Sequence, residues 1–138
     1  MIRTTGLYHI GIPVDDVERA ERFYHELLGM EVTARGMDDI GAGAGRVALR
    51  CGRHQVILFQ RPKPLQRDSL KEDGISHHAF AVAAADFDRA LALLKEGGYF
   101  HSGPVVRPTG RSFYFIDSEG NFGQLQTGSG RRRSPAPS

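Results

Sequence analysis

The same short pattern occurs twice in this chain, and that duplication constrains the fold more than any other feature. Near the start the sequence reads Leu7-Tyr8-His9-Ile10-Gly11-Ile12-Pro13-Val14 and runs into a helical stretch. Past the midpoint it reads Ser76-His77-His78-Ala79-Phe80-Ala81-Val82 and again runs into a helical stretch. In each copy a histidine stands five residues ahead of a valine that closes a strand. Two related half-domains that each open with a histidine-bearing strand are expected to bring both imidazoles to one central cleft. Two imidazoles so placed suit a divalent metal.

At 138 residues the chain is long enough for one ordinary domain and too short for two large ones. Its 40% hydrophobic and 25% charged residues are those of a globular protein. The single cysteine, Cys51, has no internal disulfide partner, which fits a reducing cytoplasm. No signal peptide or membrane-length apolar run is visible, so no membrane partner is expected. A net charge of +2 does not call for a nucleic-acid partner. The basic excess sits largely in Arg131, Arg132 and Arg133. That cluster lies within residues 128–138, read as a disordered, solvated basic tail.

The first half predicts strand, helix and three more strands over residues 1–60. Tyr8, Ile10, Ile12 and Val14 alternate with their neighbours at a period of two. Asp15 and Asp16 favour a helix start, and Val17, Ala20, Phe23, Tyr24, Leu27 and Leu28 recur at helical spacing up to Gly29. Glu31 to Arg35, Arg46 to Arg50 and Gln55 to Gln60 read as strands. The glycine-rich Gly36 to Gly45 segment reads as a loop able to cover a cleft. Residues 61–74 form a linker, interrupted by Pro62 and Pro64. Residues 75–127 repeat the order, with a strand over Ile75 to Ala83 and a helix over Asp86 to Lys95. A strand near Pro104 to Arg107, another over Ser112 to Asp117, a turn at Ser118 to Asn121 and a last strand over Phe122 to Thr127 follow. The fold class is therefore α+β: two βαβββ modules forming a curved, cleft-bearing mixed sheet.

Strand alternation sorts the side chains. Ile10, Ile12 and Val14 should meet the first helix, leaving His9 on the other face with Gly11 and Pro13. Phe80 and Val82 should meet the second helix, leaving His77 with Ala79 and Ala81. Small neighbours beside each histidine leave room for a ligand. Gln124, with Phe122 and Gln126, lies opposite Gly123 and Leu125. His9, His77 and Gln124 are thus the candidate metal ligands, while His78 points to the core side.

These stretches resemble the vicinal-oxygen-chelate superfamily, which holds glyoxalase I, extradiol dioxygenases, fosfomycin-resistance enzymes and bleomycin-binding proteins. The resemblance covers about residues 4–128 and is carried by Tyr8 to Val14, by Phe23-Tyr24 with Leu27-Leu28-Gly29-Met30, and by Phe113 to Asn121. The last stretch is similar to the family's YF-x-DPDGN-x-x-E ending. His77 to Phe87 and Gly110 to Phe115 look most like the fosfomycin-resistance thiol transferases. The resemblance implies a divalent metal (Mn, Fe, Ni or Zn) on His9 and His77, with Ser112 and Tyr114 as catalytic contacts to substrate. Arg133 falls near a phosphonate-binding arginine of those enzymes. It also implies a homodimer, since family members often pair so that modules from two chains meet.

The chain departs from that pattern. Gln124 stands where the family usually has a glutamate ligand, Gly11 replaces a small hydroxyl residue, Pro104 replaces a basic one, and Ile57 falls where glyoxalase I has a further glutamate. Two imidazoles and an amide oxygen leave a divalent ion its full charge, so such a site should bind metal more weakly and accept an anionic two-oxygen ligand more readily. Neither Gln124 nor Ile57 can take a proton, so glyoxalase-type isomerisation lacks its base. Lewis-acid-assisted addition survives the substitution best. Two readings stay open. One is a metal-dependent enzyme (lyase, dioxygenase or thiol transferase) acting on a small oxygen-rich molecule. The other is a metal-free protein that sequesters an antibiotic-like ligand against an apolar wall of Phe59, Phe113, Phe115 and Phe122.

Overall fold

The computed structural model describes residues 1–37, 45–63 and 76–128. The expected covering loop, most of the linker and the arginine-bearing tail fall outside the described residues. Among the described residues, eight strands and two principal helices follow one another in the order β1 (His9–Val14), α1 (Val17–Arg22), β2 (Glu31–Met37), β3 (Gly45–Cys51), β4 (His54–Gln60), β5 (His78–Val82), α2 (Phe87–Glu96), β6 (Phe100–Arg107), β7 (Gly110–Ile116) and β8 (Phe122–Thr127). The strands form two four-stranded mixed sheets of order β1-β4-β3-β2 and β5-β8-β7-β6. In each sheet the histidine-bearing strand runs parallel to its neighbour and the other pairings are antiparallel. The class is α+β, and the duplication seen in the sequence is a duplication of topology.

By contact the chain divides into two compact units, Met1–Glu72 with Asp117–Asn121 and Asp73–Ile116 with Phe122–Ser138. In the first, Ile12, Val14, Val47, Leu49, Val56 and Leu58 are buried with Ala20 and Phe23. The paired positions Ile12↔Leu58, Val47↔Leu58 and Leu49↔Val56 put these apolar chains on one face, as a period of two requires. In the second unit Phe80, Phe113, Phe115 and Leu125 are buried with Phe87 and Leu94 of α2.

Helix α1 starts where the acidic pair predicts. The Asp16 side chain accepts from the Arg19 N–H at 3.0 Å, capping the helix. The expected single helix to Leu28 instead loosens into a π-type turn over Phe23–Leu27, with the Leu28 N–H reaching the Phe23 carbonyl at 3.1 Å. Phe23 and Tyr24 are both buried. Adjacent positions on a strict α-helix diverge by about 100°, and the wider turn turns both rings inward. Gly29, at φ +73°, ends the segment. Strand β6 begins at Phe100, four residues before the expected start. Its pairing with β7 slips around Gly103, whose φ of +108° suits glycine, so the strand continues through a bulge that the Gly-Pro pair hides in the sequence.

The turn after β7 belongs by contact to the first unit, although the sequence keeps it within residues 75–127. Glu119, 3% exposed, holds it there. Its carboxylate accepts the N–H groups of Asp15 (3.0 Å) and Asp16 (2.7 Å) and the guanidinium of Arg19 (2.7 and 3.1 Å). Tyr24 donates its buried hydroxyl to Asp117, which also accepts the N–H groups of Glu119 and Asn121, each at 2.8 Å. Asn121 donates to the Pro13 carbonyl at 2.9 Å, and Arg61 bridges Asp15 and Asn121. The turn thus satisfies the backbone groups left open where β1 gives way to α1.

Burial pushes Glu119 up, but the hydrogen bonds from Arg19, the Asp16 N–H and Ser118 outweigh it and hold the carboxyl below its ordinary value of 4.5. A depressed carboxylate contributes stability above its unfolded pKa and loses it as the pH falls through the folded value. Asp117 has the opposite sign. Burial pushes it up despite its hydrogen bonds, so its contribution is present in acid and lost as the pH rises through the folded value. Glu119→Gln should therefore flatten the acid limb of stability below about pH 4.5. Glu119→Ala should cost about 2–3 kcal/mol at neutral pH, because charge-assisted hydrogen bonds of this kind are lost. Urea unfolding across a pH series checks both.

Candidate functional site

His77, Gln124, Tyr114, Phe122 and Ser112 lie on one face of the second sheet, the face turned away from α2. Strand β8 is central, with β5 on one side and β7 on the other. Gln124 stands opposite Ala79 and Tyr114, and Gln126 opposite Ala81 and Ser112. His77 sits just before β5 and offers its Nε2 to the Gln124 Oε1 at 2.9 Å. Its ring meets Tyr114 edge-on at 5.6 Å and Phe122 at 5.7 Å. Tyr114 and Phe122 stack, with centroids 5.4 Å apart and planes 13° from parallel. His101 meets Phe122 edge-on at 5.1 Å. His77, Ala79 and Ala81 are exposed, so small side chains do leave this face open.

The structure thus brings together His77, Gln124, Tyr114 and Phe122. Ser112 shares their face and is 2% exposed. Two residues beyond the expected set join it. Gln126 accepts from the Gln124 amide at 3.2 Å and itself donates to the Thr127 carbonyl at 2.9 Å. Its alternation with Gln124 was the sequence signal for it. His101 had none, because β6 bulges.

His9 opens the corresponding strand of the first unit, exposed and edge-on to Tyr8 at 5.8 Å. Gln55 is its cross-strand partner, and Gly11, Ile57, Pro13 and Phe59 continue the same face. Here the expected free space beside the histidine is taken. A Cβ on Gly11 would lie 3.2 Å from the Phe59 ring, so the glycine seats that ring instead of leaving a void. Phe59 is half-buried on the His9 face of the first sheet.

Two wall residues are corrected. Phe113 and Phe115 are fully buried on the α2 side. Phe113 packs edge-on against Phe87 at 5.4 Å, and the Phe115 ring covers Gly123 so closely that a Cβ there would sit 2.4 Å from it. On β7 they alternate with Ser112 and Tyr114, so they cannot share the ligand face. Cys51 is no better placed as a nucleophile, since burial pushes its thiol up and away from the reactive thiolate.

Among the described residues no three His, Cys, Asp or Glu side chains gather as a metal cluster. The donor set is still chemically suitable: imidazole nitrogen and amide oxygen both bind borderline divalent ions. No helix among the described residues is long and apolar enough to cross a membrane.

Comparison with known proteins settles the lineage. The model of the Glyoxalase/Bleomycin resistance protein/Dioxygenase superfamily matches residues 6–125. The chain belongs to this superfamily. Among curated relatives of the superfamily, it is 32% identical over 124 residues to the glutathione transferase FosA of Serratia marcescens, covering 90% of this chain and 82% of that one. It is 26% identical over 127 residues to the fosfomycin resistance protein FosX of Listeria monocytogenes, covering 90% of each. Among solved structures, FosX from Mesorhizobium loti superposes with a TM-score of 0.70 at 26% identity over 92% of this chain and 94% of that one. A glutamate-to-glutamine variant of the Listeria FosX, complexed with Mn(II) and 1S,2S-dihydroxypropylphosphonic acid, shares the fold with a TM-score of 0.73 at 19% identity, covering 92% and 95%. The resemblance to fosfomycin-resistance proteins read from the motifs therefore stands.

Burial separates the phenylalanines by consequence. Phe113→Ala or Phe115→Ala should cost about 3–5 kcal/mol of stability, the usual range for emptying a packed aromatic site. Phe122→Ala should cost less and instead shift the ring-proton resonances of His77, which loses a neighbouring aromatic face. Denaturant unfolding and NMR of the His77 ring distinguish the two classes.

Proposed function

We propose that this protein is a divalent-metal-dependent enzyme that acts on a small, oxygen-rich substrate by polarising one of its oxygens. The observation that carries the reading is the convergence of His77 Nε2 and Gln124 Oε1 at 2.9 Å on an open face that also bears Tyr114. His77 and Gln124 would hold the ion, with His9 the further ligand that the family resemblance implies, and the ion supplies Lewis-acid polarisation when bound. The FosX complex with Mn(II) supports the assignment by kinship. Tyr114 donates or accepts a hydrogen bond to orient the substrate, with Ser112 two residues earlier on the same face. Phe122 and Phe59 supply apolar surface. Gln124 cannot take up a proton, so the chemistry that suits this chain is addition of a nucleophile rather than proton transfer next to a carbonyl. The working protein is read as a cytoplasmic homodimer that uses no nucleic acid or membrane partner.

A second reading is favoured by one observation, that an amide, Gln124, and not a carboxylate stands beside His77 on β8. On that reading the stacked Tyr114 and Phe122 grip an antibiotic-like ligand without metal and without turnover.

The two readings separate on one measurement. After chelation, the protein should gain thermal stability with Mn(II), Ni(II), Zn(II) or Fe(II), by about 2.7 kcal/mol at a hundredfold excess over Kd. His77→Ala should remove the gain, as should His9→Ala. Gln124→Glu should tighten Mn(II) binding tenfold or more, at roughly 1.4 kcal/mol per decade, because it restores a charged ligand. Equal melting temperatures with and without every ion would leave the sequestering protein as the reading.

A further inference from the structure

We infer that Gln126 is a positioning residue, which fixes the direction of the Gln124 amide and, through it, the tautomer of His77. The inference rests on the metal reading above for its use, but its geometry stands within the second unit alone. The backbone carbonyl of Thr127 can only accept a hydrogen bond. The Thr127 carbonyl takes a hydrogen bond from the Gln126 side chain at 2.9 Å, so the Nε2 end of Gln126 must face it. Its Oε1 end then faces Gln124, where it accepts the Gln124 Nε2 at 3.2 Å. With its nitrogen so engaged, Gln124 turns its Oε1 to His77 at 2.9 Å. Two acceptors cannot share a hydrogen bond, so His77 Nε2 carries the proton and donates it. One fixed carbonyl thereby sets the polarity of three side chains in a row.

The packing leaves this relay little freedom. A Cβ on Gly110 would lie 2.5 Å from the Thr127 hydroxyl, 2.7 Å from its carbonyl and 3.2 Å from the Gln126 amide nitrogen. The absence of a side chain at Gly110 is what admits the relay's end. The Thr127 hydroxyl in turn accepts the Arg111 N–H at 2.8 Å, which pins that strand end to β7. Gln126 is also held in register opposite Ser112.

The consequence is specific to a glutamine at position 124. A carboxylate presents oxygen whichever way it turns, whereas an amide presents oxygen or N–H₂ according to its neighbours. A site built on Gln124 therefore needs a residue that keeps the oxygen forward, and Gln126 is that residue. In the metal-free protein the same relay holds His77 as the Nε2–H tautomer.

The test uses the chelated full-length chain in mildly alkaline buffer. Multiple-bond ¹⁵N NMR should show His77 as the Nε2–H tautomer in the wild type. Gln126→Met, which keeps length but has no amide, should give a mixed or Nδ1–H population. Gln126→Glu, which still accepts the Gln124 N–H, should keep the wild-type tautomer. Electron paramagnetic resonance of free Mn(II) should show Gln126→Met binding about 10- to 100-fold more weakly than wild type, the usual loss on removing a partner behind a metal ligand. An Nδ1–H wild type, or a Gln126→Met variant that folds with unchanged tautomer and unchanged Mn(II) affinity, overturns the inference. A wild type with the expected tautomer but no Mn(II) binding keeps the relay and removes the metal reading instead.

Discussion

The second sheet turns on a single central strand. Because β8 is hydrogen-bonded on both sides, its register cannot drift without breaking two ladders, and a slip of one residue would exchange its faces. That register alone places Gln124 between Ala79 and Tyr114 and sends Leu125 and the bare backbone of Gly123 to the core. The open face is polar and aromatic because the opposite face is packed: Phe113 and Phe115 fill the α2 side, and their alternation leaves Ser112 and Tyr114 for the other. Ligand chemistry and core packing are two readings of the same strand pair.

The first unit is organised around a carboxylate rather than a strand. Glu119 reaches the open N–H groups at the start of α1 from a turn roughly a hundred residues further along the chain, and Asp117 gathers Tyr24, Asn121 and the turn's own backbone. Both groups are buried, and both are surrounded by donors. The opposite directions of their shifts follow from the balance in each case. For Glu119 the guanidinium and N–H donors outweigh burial, while for Asp117 burial prevails. A buried acid that is this well supplied ties a distant turn to a helix start with no apolar contact needed.

Much of this was legible in the sequence. The duplicated histidine strands gave the two sheets because period-two alternation and helix spacing are local signals. The face shared by His77 and Gln124 followed from counting along β5 and β8. Phe113 and Phe115 were misplaced against a local signal, since their alternation with Ser112 and Tyr114 along β7 already puts the two pairs on opposite faces. The space beside His9 was misjudged because a glycine signals room without saying what fills it, and the filler, Phe59, lies on another strand. The role of Glu119 was out of reach: its partners are about a hundred positions away, and only the folded chain joins them.

Gly11 and the paired Ala79 and Ala81 show how far the two halves of an internal duplication can part company while keeping one topology. The earlier half has spent its vacancy on an aromatic neighbour, and the later half has kept its floor bare. A symmetrised chain made from two copies of the later half would thus not reproduce the parent. It would gain a second histidine–amide pair and forfeit the phenyl ring that now shields the first strand.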